Sequence, residues 1–204
     1  LSSILIIIIY LSFIGIETEK FNQQIKEKIV QSNKDLDIDL KTVKLTLDPL
    51  KLRINVKTVG AIIYYLNRPL ELEYIQTRLS LDSVFKNKLV SSNFKIVTRS
   101  ILLKDLVKFI RSIEFRPELL ILETIIKDGF INLNLNLNLD ENGMIKNDYE
   151  VNGKLKEGKI KFLNNFDFEK INFLFILKEK NFLFKNVNFS TDGMNFYSDL
   201  LKII

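Results

Sequence analysis

Residues 131–139 read INLNLNLNL. Ile131, Leu133, Leu135, Leu137 and Leu139 alternate with Asn132, Asn134, Asn136 and Asn138. Side chains of an extended chain point to opposite faces in turn, so a period of two predicts a strand with a leucine face and an asparagine face. A helix would scatter the same leucines around its circumference. The setting such a strand requires is an antiparallel sheet with one apolar and one wetted side. The alternation fits both a sandwich strand over a closed core and a wide sheet whose apolar side is left partly open for acyl chains.

The same period recurs on either side of this segment. Upstream, Leu36, Ile38 and Leu40 alternate, then Val43, Leu45 and Leu47. Asp48-Pro49 makes a turn, and Leu52, Ile54 and Val56 return. Two alternating runs around a short Asp-Pro loop predict an antiparallel hairpin. Residues 61–66 and 70–81, separated by Asn67-Arg68-Pro69, and 93–99, with Phe94 and Ile96, read as further strands. Downstream, Asp140-Glu141-Asn142-Gly143 is a hairpin turn with glycine where positive φ is wanted. Ile145, Tyr149, Val151 and Leu155 mark the return strand. Strands are also expected over 160–162, 171–177, 182–189 and 194–197, with a turn at Asp192-Gly193.

Between these strands the period becomes helical. Leu103, Leu106, Val107, Ile110 and Ile113 predict an amphipathic helix over 104–113. Pro117 suits the first turn of a second helix carrying Leu119, Leu122, Ile125 and Ile126, which Asp128-Gly129 would cap. The expected body, residues 33–204, is therefore mainly β with auxiliary helices (α+β). It is an antiparallel meander forming a twisted, groove-like sheet, interrupted by a helical pair at about 104–128. No Gly/Ser linker divides it, and the chain ends in DLLKII, as though the strand series continued.

Residues 1–16, LSSILIIIIYLSFIGI, carry no charge. As a helix they rise about 24 Å at 1.5 Å per residue, against a hydrocarbon core roughly 30 Å thick. The chain begins at Leu1, and the segment is expected to extend upstream. A cleaved signal would end in small residues of the A-x-A kind. Glu17-Thr18-Glu19-Lys20 follows instead, so the segment reads as a retained transmembrane anchor. Residues 17–32 then read as a short exit helix, with Phe21, Ile25 and Ile29 on one stripe.

Composition removes several chemistries. With no His, Cys or Trp among 204 residues, Ser-His-Asp and Cys-His nucleophilic sites, thiolate or imidazole zinc sites and disulfides are all excluded. Asp35, Asp37 and Asp39 alternate on one strand but lack the glycine geometry of a calcium loop, and they read as a wet face. Lys154, Lys156, Lys159 and Lys161 lie close together, yet they alternate with apolar residues and Glu157. A solvated strand face explains them better than nucleic acid does. No phosphate-cradling glycine motif occurs. No metal or cofactor is expected, and no nucleic-acid partner.

An uncharged N-terminal helix, a short exit helix and then DIDLKTVKLTLDPLKLRINVKTV resembles the N-terminal region of the AsmA-like family of bacterial envelope proteins, TamB and YhdP among them. LELEYIQTRLSLDSVFKNKLVSSNFKIVTRSILLKDLVKFIRSI looks like the family too: strand, short turn around residues 82–88, strand, then helix. The resemblance runs over most of residues 1–158 and rests on periodicity and order. It implies a single inner-membrane helix with a β-rich groove in the periplasm and no catalytic residues. The implied role is bridge-like movement of phospholipid between inner and outer membranes or, as for TamB, outer-membrane protein assembly with envelope partners. The residues expected to face lipid are Leu133, Leu135, Leu137, Leu139, Tyr149, Val151, Phe173 and Phe175. The alternative is a membrane-tethered scaffold with an ordinary closed β core.

Overall fold

The computed structural model describes residues 2–32, 34–82, 93–138, 146, 148–162, 166–179 and 181–203. The turn expected at 140–143, Ile145, Leu139 and most of the turn at 82–88 lie outside these residues.

Helix α1 (Ser2–Phe13) is uncharged and mainly apolar, with no polar face. It closes where the amides of Ile14 and Gly15 both donate to the Tyr10 carbonyl. Gly15 has φ +75, and a Cβ there would lie 2.3 Å from the Leu45 carbonyl oxygen, so only glycine lets the chain turn into the sheet at this point. At 12 residues α1 is about 18 Å long. Among the described residues no helix is long and apolar enough to cross a membrane.

Strand β1 (Ile16–Thr18) follows, so the helix expected from Glu17 starts later, as α2 (Asn22–Ser32). Pairing of Ile16 with Leu45 and of Thr18 with Val43 overrides helical spacing here. The Asn22 side-chain amide donates to the carbonyls of Leu40 and Lys41, pinning the start of α2. Ile25 and Ile29 then pack on a core of Ile38, Leu40, Ala61 and Leu72. Phe21 precedes the helix and is exposed.

The remaining strands are β2 (Leu36–Asp39), β3 (Thr42–Asp48), β4 (Arg53–Val59), β5 (Ile62–Tyr65), β6 (Arg68–Ser80), β7 (Asn93–Thr98) and β8 (Ile101–Leu102). After α3 (Leu103–Ile113) and α4 (Pro117–Ile125) come β9 (Ile126–Asn138), β10 (Glu150–Phe162), β11 (Phe166–Lys178), β12 (Asn181–Thr191) and β13 (Met194–Ile203). One open antiparallel sheet runs β1-β3-β4-β6-β7-β9-β10-β11-β12-β13, with β2 and β5 branching from β6 and β8 added to β9. The Asp-Pro hairpin is present as β3–β4, with Asp48 opposite Arg53.

The helical pair differs in detail from its periodicity. Leu106, Val107 and Phe109 form the buried face of α3, whereas Ile110 and Ile113 are exposed. Helix α4 ends at Ile125, and Ile126, 2% exposed, is already the first residue of β9. Gly129 therefore lies inside a strand and caps no helix. Arg111 and Glu123, 2.9 Å apart, tie α3 to α4.

Lys26 reaches from α2 to Asp37 at 3.0 Å. The hydrogen bond from the Lys26 ammonium is the main cause holding the Asp37 carboxyl below its ordinary value. A carboxyl lowered on folding stabilises above its unfolded pKa, near 4, and loses that contribution as pH falls through the lowered value. Both side chains are about half exposed, so solvent screens the pair. Lys26→Met is expected to cost less than about 0.5 kcal/mol at pH 7, and progressively less as the pH falls through the lowered Asp37 value, read by chemical denaturation across an acid pH series.

Candidate functional site

Residues directly opposite one another across a ladder share a face, so the register assigns every strand position to one side of the sheet. Leu135 faces Val151 on one flank and Ile96 on the other, Leu133 faces Gly153, and Leu137 faces Phe94. Across the next ladder Leu155 faces Phe173, and Gly153 faces Phe175. Six of the residues expected to face lipid, Leu133, Leu135, Leu137, Val151, Phe173 and Phe175, thus share one apolar face. Tyr149 sits half-buried just before β10, outside the ladder. Leu139 lies outside the described residues.

The face is wider than the sequence reading had it. It continues through Ile75 and Thr58 to Val43, and in the other direction through Phe184 to Leu201. Phenylalanines line its β11–β13 side. The rings of Phe173 and Phe184 meet edge-on at 5.3 Å, Phe168 and Phe189 at 5.8 Å, and Phe189 stacks on Phe196 at 5.1 Å. The Phe175 ring lies over Gly153, where a Cβ would come within 2.2 Å of it.

Burial along this face divides it in two. At one end the strands carry buried residues: Val43, Thr58, Leu72, Thr98, Ile131, Leu155 and Ile171. This end lies under α2, β2 and β5, and under α3, whose Leu106 packs with Ile131, Leu155 and Ile171. Toward the other end, where the β3–β4 turn lies, the same face is only half-buried, at Leu45, Leu47, Ile54, Val56, Leu135, Leu137, Val151 and Leu177. Leu133, Phe173 and Phe175 stand at the boundary, packed on the edge of the closed core. The change comes within single strands, Ile131 to Leu137 on β9 and Val43 to Leu47 on β3. It therefore follows what covers the strand and not residue type.

The opposite face is polar and hydrogen-bonded along itself. Asn93 donates to Asn138, Asn138 to Asp148, and Asn172 to Asn188. Lys159 pairs with Glu169 and Lys161 with Asp167, so half of the 154–161 lysine group is neutralised on the sheet. The Lys159–Glu169 hydrogen bond raises the lysine and lowers the carboxyl from their ordinary values, which fixes both in the charged form at neutral pH. Asp37 is engaged by Lys26, and among the described residues no group of acids is placed to hold a metal ion. Asp128 accepts from the Gly129 amide, and Asp192 and Gly193 form a turn.

Among the described residues the half-covered part of this face is lined by Leu, Ile and Val, with Phe173 and Phe175 at its boundary. Its chemistry is the exclusion of water. No family model matches this chain, and no curated protein or solved structure is significantly similar to it.

Proposed function

We propose that this chain is a non-catalytic, membrane-anchored envelope protein of the AsmA-like kind, which holds phospholipid acyl chains against the half-covered part of its apolar sheet face. The observation that carries this reading is the division of that face: closed under α2 and α3, open toward the end where α1 joins. Each methylene fully buried from water gains roughly 0.8 kcal/mol, so an acyl chain lying along such a face is held outside the bilayer at lower cost than in water. Headgroups would stay at the wetted margin. A contiguous apolar area of this kind on a water-exposed protein marks a lipid or partner surface. On this reading the uncharged helix α1 is part of the anchor, with the inner membrane as its bilayer and the periplasm as the compartment of the sheet.

A scaffold or outer-membrane protein assembly role is the second reading. The exposed Ile113, Phe115, Leu120 and Ile121 around the α3–α4 turn favour it, since they would suit a protein partner.

Photo-crosslinking separates the two faces. Benzoylphenylalanine replacing Phe175 or Phe184 should label phospholipid in membranes, whereas the same probe replacing Asn136 or Asn152, on the polar face away from the β3–β4 turn, should not. Equal labelling from both faces, or none from either, would sink the lipid reading.

A further inference from the structure

The β3–β4 turn is built unlike an ordinary solvent loop. Asp48 and Arg53 close it, the Asp48 carboxylate accepts from the Lys51 amide, and Leu52 takes φ +48. Turns usually present small or polar residues. Here Leu50 is 95% exposed and Leu52 64% exposed, with Lys51 between them.

The turn also has a charged hinterland. Lys44, Lys51, Arg53, Lys57 and Arg78 line a depression of about 430 Å³ on the polar face, with Asp48 as the one acid among its described lining residues. Lys44 stands directly opposite Lys57 across the β3–β4 ladder, an arrangement that costs stability unless an anion answers it. Glu17 lies 3.6 Å from Lys44, and the Lys57 ammonium sits 4.1 Å over the Tyr74 ring. Lys51, Arg53 and Arg78 are exposed.

The third observation is position. Strand β1 runs antiparallel to β3 with Ile16 opposite Leu45, so the chain leading back through Gly15 into α1 follows β3 toward its turn. Gly15 packs on Leu45 and Thr46, and α1 touches β3. The base of the apolar helix, the leucine-tipped turn and the cations therefore share one end of the sheet.

From this juxtaposition we propose that the β3–β4 turn is a second membrane contact. Leu50 and Leu52 dip into the bilayer interface beside α1, while Lys51, Arg53 and Arg78 bind anionic phospholipid headgroups. Apolar tips flanked by Lys and Arg suit an interface whose surface is negative and whose interior is apolar. This contact rests on the anchor reading and adds a fixed orientation to it. It adds to the packing of α1 on β3 at the same end of the sheet. Two contacts set the half-covered apolar face at a constant angle to the membrane.

The chain has no Trp, so a single introduced one reports without background. L50W and, separately, I7W in α1 would be placed in the full chain and reconstituted into vesicles. The vesicles would be phosphatidylcholine, or phosphatidylcholine with phosphatidylglycerol, each with brominated acyl chains as quencher. I7W should be quenched in both. L50W should be blue-shifted and quenched in the phosphatidylglycerol vesicles, and K51E, R53E and R78E together should remove most of that quenching. Quenching of I7W with none of L50W would overturn the turn contact and leave the anchor standing. Absence of quenching at I7W would overturn both. Equal quenching of L50W without phosphatidylglycerol, or indifference to the charge reversals, would overturn the headgroup contact.

Discussion

Leu155→Asp is expected to unfold this protein, whereas Leu135→Asp, on the same face of the same sheet, should leave it folded and, under the proposed lipid-holding role, abolish lipid labelling. Leu155 is 3% exposed and packed among Leu106, Ile131 and Ile171. A carboxylate there has no cation within the cluster, and burying it unpaired costs several kcal/mol, a large share of the 5–15 kcal/mol that typically holds a domain together. Leu135 is half-buried between Val151 and Ile96, and water reaches the new group. The expected cost is about 1–2 kcal/mol of lost apolar burial. Lipid labelling from a probe at Phe175 should nevertheless disappear, because the carboxylate keeps its water and an acyl chain cannot displace it. Asn136→Asp, one residue on but facing the other way, should change neither property. Thermal melting beside crosslinking yield decides the matter. If Leu135→Asp unfolds as completely as Leu155→Asp, the face is closed along its whole length and the scaffold reading stands.

Alternation at 131–139 and the Asp48-Pro49 hairpin were legible because side-chain period and turn chemistry are local properties. Strand length was not. Residues 160–162 look detached from 151–155 because Leu155 and Ile160 have opposite parity. They share a face only because Glu157 takes φ +51 and the register slips between Leu155 and Gly158. Lys170 and Asn186 do the same in β11 and β12, which puts Phe184 and Phe189 on one side. Glu and Lys carry no sequence signal for a left-handed conformation, so the bulges, and the extent of the phenylalanine surface with them, emerge only from the ladder. The stop of α4 at Ile125 is a tertiary effect too: the next residue is worth more buried in β9 than on an exposed helix. The basic cluster was hidden for another reason. Lys44, Arg53 and Arg78 are scattered along the sequence and meet only through the β3–β4–β6 register.

The bulge at the start of β9 gives the second large effect, in Gly129→Val. Gly129 has φ +132, a region that side chains of L residues rarely enter, and a Cβ there would lie 2.9 Å from the Gly158 Cα. The obstacle is backbone, which cannot rotate aside. Strain of about 1–3 kcal/mol from the dihedral adds to the clash, for a total of about 3 kcal/mol or more. In a domain of this size that lowers the melting temperature by about 6–12 °C. Gly193→Ala is the control. Gly193 also has positive φ, at +77, but nothing lies within 4 Å of its missing Cβ, so only the dihedral cost of about 1 kcal/mol remains. The damage should also be confined in space. Gly129 and Gly158 meet at the end of the sheet closed by α3, so the variant that survives at low temperature should still label lipid from Phe184. A Gly129→Val protein that melts within 2 °C of the parent would mean that the two strands do not approach so closely. The bulge would then no longer explain why Leu155 and Ile160 share a face.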